Sequence, residues 1–169
     1  QAYTNGTYDI RLRAIDRNNN IQLPVKVNVI VDKTLPTINS TNITNKYLSA
    51  GIKTIQINFK TSNKTSMDTL KTVSVQVVTA NNFRINVQKT GYANNVWSGQ
   101  VDIPAGAVNG RAYLKVTSAT DKANNVMSAD SSITFYIDTQ APTAPVITSP
   151  KNLTFINNLK PKISWSQST

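Results

Sequence analysis

The chain has no histidine and no cysteine among its 169 residues. A Ser-His-Asp triad, a thiol nucleophile, a thiolate metal site and a disulfide framework are therefore all excluded within it. What remains for acid–base or metal chemistry is eight acidic residues, spread singly over turns and linkers with none placed as an evident pair. Two of them recur in one context: Asp16 in "NGTYDIRLRAIDRNNN" (5–20) and Asp121 in "NGRAYLKVTSATDKANN" (109–125). An Asp in such a polar turn commonly bonds nearby backbone and sets the turn. Three aromatic residues, Tyr92, Trp97 and Trp165, are candidates for stacking on sugar rings. Trp97 and Trp165 lie in alternating runs that favour core packing, which leaves Tyr92, in the loop "KTGYANN", as the exposed glycan contact. No catalytic residue is expected, and the chain is read as non-enzymatic.

The elements that must position these residues are strands. From 36 to 139 short alternating runs follow one another, with no segment of helical period. Ile55, Ile57 and Phe59 share one face, as do Val73, Val75 and Val77. Phe83, Ile85 and Val87 form a third set, and Trp97, Val101 and Ile103 a fourth. Ala112, Leu114 and Val116 precede a last set, Ile133, Phe135 and Ile137. With an opening strand at 36–44 the pattern predicts an all-β, immunoglobulin-like, seven-stranded β-sandwich over residues 35–139.

Residues 1–34 match only its last two strands, with Tyr8, Ile10, Leu12 and Ala14 on one face and Val25, Val27, Val29 and Val31 on the return. Residues 140–169 read as a Pro-punctuated linker and the first strands of a further unit. A tandem array results, with one complete central domain between two partial ones. From Gly6 to Asp16 is ten positions, but from Gly110 to Asp121 eleven, an excess that a β-bulge near Thr117–Thr120 would absorb.

The pattern G-x-Y-x-I-x-L-x-A-x-D-x-x-x-N at 6–20, and A-x-D-x-A-x-N at 119–125 with "IDTQAPTAP" downstream, resemble the closing hairpins of bacterial Ig-like tandem repeats. Such repeats occur in large surface adhesins, biofilm and surface-layer proteins, and secreted hydrolases. Asn19 and Asn124 stand where that family usually has Gly, a place Asn tolerates because it accepts positive φ. The resemblance implies a spacer in a secreted or cell-surface bacterial protein, supporting adhesion or attachment, with neighbouring Ig-like domains as its partners.

In that family some junctions hold calcium. In such a sandwich the last turn faces the preceding domain, so Asp32 should approach Asp121 and not Asp16. Asp68, in "TSNKTSMD", opens on the same end. Asp32, Asp68 and Asp121 with carbonyls are the candidate calcium ligands, since a hard cation takes six to eight oxygens. Lys33, Lys64 and Lys122 beside them are the competing ion-pair partners. No other cofactor is expected.

The net charge of +10 admits a rival reading, a module binding an anionic wall polymer or polysaccharide. An accessory domain of a secreted protease or glycosidase is a third. The lysines are scattered singly, so a nucleic-acid partner is not expected, and no apolar stretch is long enough to span a bilayer. Asn-x-Ser/Thr triplets at Asn5, Asn39, Asn42, Asn63 and Asn152 are sites for glycosylation only in a host that modifies exported proteins.

Overall fold

The structure, a computed structural model, describes residues 3–61 and 70–167. Those residues are all-β, without a helix, and fall into two compact units, 1–139 and 140–169. The first opens with an antiparallel hairpin, β1 (Gly6–Leu12) and β2 (Val25–Val31), in register from Gly6↔Val31 to Leu12↔Val25. This hairpin is a sheet by itself and shares no ladder with the strands that follow.

Those strands form two facing sheets. One has four strands in the order β3 (Thr37–Thr41), β5 (Gly51–Lys60), β9 (Val96–Ile103), β8 (Gln88–Ala93). The other has five, in the order β4 (Tyr47–Leu48), β11 (Asp130–Ile137), β10 (Gly110–Thr120), β6 (Thr72–Val78), β7 (Arg84–Asn86). All pairings are antiparallel except β4 with β11, where Tyr47 and Leu48 run parallel to Tyr136 and Ile137. Alternation does what period two requires: one side of each strand enters a single apolar cluster. Ile55, Ile57, Phe59, Trp97, Val101 and Ile103 come from one sheet, and Val75, Val77, Leu114, Val116, Phe135 and Ile137 from the other. Gly99 leaves space for the Trp97 ring, since a Cβ there would also approach Val87 Cγ1 to 2.7 Å.

Two local expectations change, and the bulge expected near Thr117–Thr120 is found at Thr117. The run 82–88 is not one strand: it divides into β7 and the start of β8, and the chain changes sheets at Val87. Phe83 is exposed because it belongs to the turn before β7, where Thr79 N donates to Phe83 O at 2.9 Å and Asn82 takes φ 63°. The register shift of β10 against β6 falls between Val116 and Ser118, making Thr117 the extra residue. Against β11 the longer arm of β10 is matched by a longer return, so the second hairpin is one residue longer on both arms than the first.

The second unit is small. β12 (Ile147–Ser149) pairs with β13 (Ser164–Trp165), joined also by Ser166 N to Val146 O at 2.8 Å. Leu153, Phe155, Leu159, Ile163 and Trp165 are all exposed on it.

Candidate functional site

Among the described residues, six of the seven non-glycine residues with positive φ are asparagines, including Asn19 (65°) and Asn124 (68°). At both places Asn occupies the left-handed region that a side chain usually avoids, and each stands third after an Asp. Around them the two turns are built alike. Asp16 N donates to Asn20 O (3.1 Å) and Asn19 N to Asp16 O (3.1 Å). Likewise Asp121 N donates to Asn125 O (3.1 Å) and Asn124 N to Asp121 O (3.2 Å). The carboxylate of Asp16 accepts Asn20 N at Oδ1 (2.9 Å) and Asn20 Nδ2 at Oδ2 (2.8 Å). That of Asp121 accepts Asn125 N at Oδ1 (2.9 Å) and Asn125 Nδ2 at Oδ2 (2.9 Å). One bridge closes each loop, Ile15↔Ile21 and Thr120↔Val126.

The two turns differ in what covers them. Asn125 Nδ2 makes a second bond, to the Asp32 carbonyl at 3.1 Å, and so ties the end of β2 to the turn after β10. Asp121 is 1% exposed. Lys71 adds to the same turn, donating from N to Thr120 O (2.7 Å) and from Nζ to Asn124 Oδ1 (2.8 Å). Asp16 lies open to solvent, beside a depression of about 380 Å³ lined by Ala14, Ile15, Asp16, Asn20, Ile21 and Gln22. The Asn20 side-chain amide, followed by main-chain N–H groups, holds the Asp16 carboxyl below the usual carboxylate range.

A second pair of asparagines fixes the strand exits. Asn5 Oδ1 accepts Lys33 N (2.8 Å), and its amide donates to Thr34 Oγ1 (2.6 Å) and Asp32 Oδ1 (3.3 Å). At the equivalent place Asn109 Oδ1 accepts Thr139 N (2.9 Å), and its amide donates to Asp138 Oδ1 (3.0 Å).

Of the three expected calcium ligands, Asp32 and Asp121 lie at one junction, joined through Asn125 by the Asp32 carbonyl and not by its carboxylate. The Asp32 carboxylate accepts Thr34 N at 3.0 Å. Asp68 lies outside the described residues, as do Asn63 and Lys64. Among the described residues no three acids gather to hold a metal ion. Tyr92 is half-buried against the core cluster, since it falls in β8 and not in a loop, with its hydroxyl donating to Asn95 Oδ1 at 3.2 Å. Trp97 is in the core, while Trp165 is exposed because the short β12–β13 pair offers it no second sheet.

The residues with no role assigned from sequence are Asn20 and Asn125. Their signal was their recurrence four places after the Asp in both turns. Comparison with protein-family models, curated proteins and solved structures finds no match to the chain.

Proposed function

We propose that residues 35–139 form an immunoglobulin-like sandwich and that the chain is a non-catalytic spacer of tandem repeats, part of a secreted or cell-surface bacterial protein. In this reading residues 1–34 close a preceding repeat and 140–169 open a following one. The strand order supports the fold: β3-β5-β9-β8 against β4-β11-β10-β6-β7 follows the immunoglobulin order, with the parallel β4–β11 pair at its edge. The equivalence of the two hairpins, turn for turn and exit for exit, supports the tandem arrangement.

The observation that carries the function is the Asn125 amide shared between the Asp121 carboxylate and the Asp32 carbonyl. A side chain fixed by its own turn and bonded to the preceding strand exit sets an angle between repeats. Pro36, two residues beyond Thr34, is buried, which stiffens the same linker. A spacer needs such defined joints to transmit reach and force.

Replacing Asn125 by Ala removes the link and leaves the Asp32 carbonyl short of a donor, a loss of about 1 kcal/mol. The expected outcome is a wider spread of orientations between the β1–β2 hairpin and the sandwich, read by residual dipolar couplings, with the sandwich core intact. Unchanged couplings would remove the joint, and with it the structural basis for the spacer.

A further inference from the structure

The outer face of the five-stranded sheet differs in kind from the outer face of the first hairpin. With Gly6 and Gly110 superposed in register, Thr7, Asp9 and Arg11 correspond to Arg111, Tyr113 and Lys115, and Ile30 corresponds to Tyr136. On the first hairpin Asp9 neutralises its neighbours, with Lys26 Nζ at 2.9 Å and Arg11 at 3.7 Å. That is an ordinary solvated face. On the second hairpin the Asp9 position is a tyrosine, and no ion pair involves Arg84, Arg111 or Lys115 among the described residues. The two carboxylates at the ends of β11 are engaged locally: Asp130 accepts Ser132 N and Oγ (2.8 and 2.7 Å), and Asp138 accepts the Asn109 amide.

Aromatic rings stand beside these cations. Tyr47, on the edge strand β4, stacks on Tyr136 with centroids 5.0 Å apart and planes 17° from parallel. Tyr47 is 72% exposed, so its outer ring face is open. Tyr136 is directly opposite Arg111 on β10, and Tyr113 is two residues on along the same face. Arg111 reaches Thr134 Oγ1 at 3.5 Å across a depression of about 380 Å³ lined by Arg111, Ala112, Tyr113, Ser131 and Thr134. That volume lies within the roughly 300–1,000 Å³ of ligand clefts.

We propose that this face binds an acidic polysaccharide, a chain whose sugar rings carry carboxylates. The apolar C–H face of a sugar ring packs on the open ring of Tyr47. A carboxylate on the same or the next residue meets the Arg111 guanidinium, whose planar fork matches it in two parallel bonds. Lys115, on the same side of β10, lies along the path of the chain. A polyanion without rings would use only the cations, and a neutral glycan only the tyrosines. The pairing of both on one face, where the sister hairpin has a neutralising Asp, selects the acidic sugar. This goes beyond the spacer reading and does not depend on the junction.

The test is binding of the full chain to oligogalacturonate at low ionic strength, with polyphosphate and single-stranded DNA as ring-free and base-stacking anions. Oligogalacturonate is expected to bind most tightly. Arg111→Gln is expected to weaken it about tenfold, and Tyr47→Ala about fivefold. Lys89→Gln, on the exposed side of β8 in the other sheet, should leave affinity unchanged. All three variants change exposed side chains, and equal melting temperatures check their folding. Absence of oligogalacturonate binding, equal losses from Lys89→Gln and Arg111→Gln, or equal affinity for polyphosphate or DNA would overturn the proposal.

Discussion

The two hairpins carry one motif in two surroundings. In β1 the inward series Ile10 and Leu12 is 56% and 75% exposed; its counterpart in β10, Leu114 and Val116, is at 0%. The closing turn is the same, and the register agrees from Gly6↔Val31 to Ile10↔Val27 and from Gly110↔Ile137 to Leu114↔Ile133, beyond which only β10 and β11 shift before Val116. What differs is the four-stranded sheet, which the second hairpin faces and the first does not. Alternation in sequence thus specifies which side of a strand is apolar, but not whether anything covers it.

The largest expected effect exploits that contrast. Leu114→Ala should cost about 2–5 kcal/mol, because its cavity opens in the densely packed cluster. Ile10→Ala at the equivalent place should leave the melting temperature of the sandwich unchanged. A loss of similar size from both would mean that the first hairpin is packed as a core element, and would end the distinction.

Next in size is the pair of turn aspartates. Asp121→Ala removes, at a buried site, the acceptor of Asn125 N and one of the two acceptors of the Asn125 side-chain amide, a penalty of about 1–3 kcal/mol for each donor left unsatisfied. Asp16→Ala exposes the same groups to water, which replaces the lost acceptor, so the loss should be much smaller. Urea titration of both variants checks the order, and comparable midpoints would show that burial is not what separates them.

Much of this was legible in the sequence, and the failures have physical causes. Period two placed Ile55, Ile57, Phe59, Leu114 and Phe135 inward correctly, because their three long strands keep phase over several residues. Phe83 misled because a turn with positive φ at Asn82 resets the phase just before Arg84. The edge strand β4 has no signature in the sequence, because two residues, Tyr47 and Leu48, carry no period at all. At the junction the meeting of Asp32 with Asp121 followed from topology. The group that joins them did not, because the neutral amide of Asn125 carries no charge to mark it as a partner of Asp121. An uncharged side chain with two donors is the better bridge here, since it meets a carboxylate and a carbonyl at once.

A smaller effect concerns pH. The Asp16 carboxyl titrates below its ordinary value, so its share of stability is present above the unfolded-state value of 3.8 and is lost as pH falls through the folded-state value. Asn20→Ala removes the first cause of that depression. Carboxyl carbon shifts followed by NMR should show the Asp16 midpoint moving upward in Asn20→Ala, back toward the ordinary value. A midpoint that stays put would assign the depression to the main-chain donors of the turn.

The smallest expected effect distinguishes a turn aspartate from a metal ligand. Each Asp121 oxygen already accepts an N–H from Asn125, and the Asp32 carboxylate accepts Thr34 N. A cation bound there would have to share those oxygens with amide hydrogens that point at them, which opposes its charge. On the turn-forming reading, added calcium or a chelator leaves both the melting temperature and the couplings across the Asn125 link unchanged. A calcium-dependent rise in either, abolished by Asp68→Asn, would instead bring Asp68 to the junction as the third carboxylate. The first turn supplies the control: it has the same Asp and amide but no Asp32 beside it, so calcium should not move the Asp16 shifts in either case.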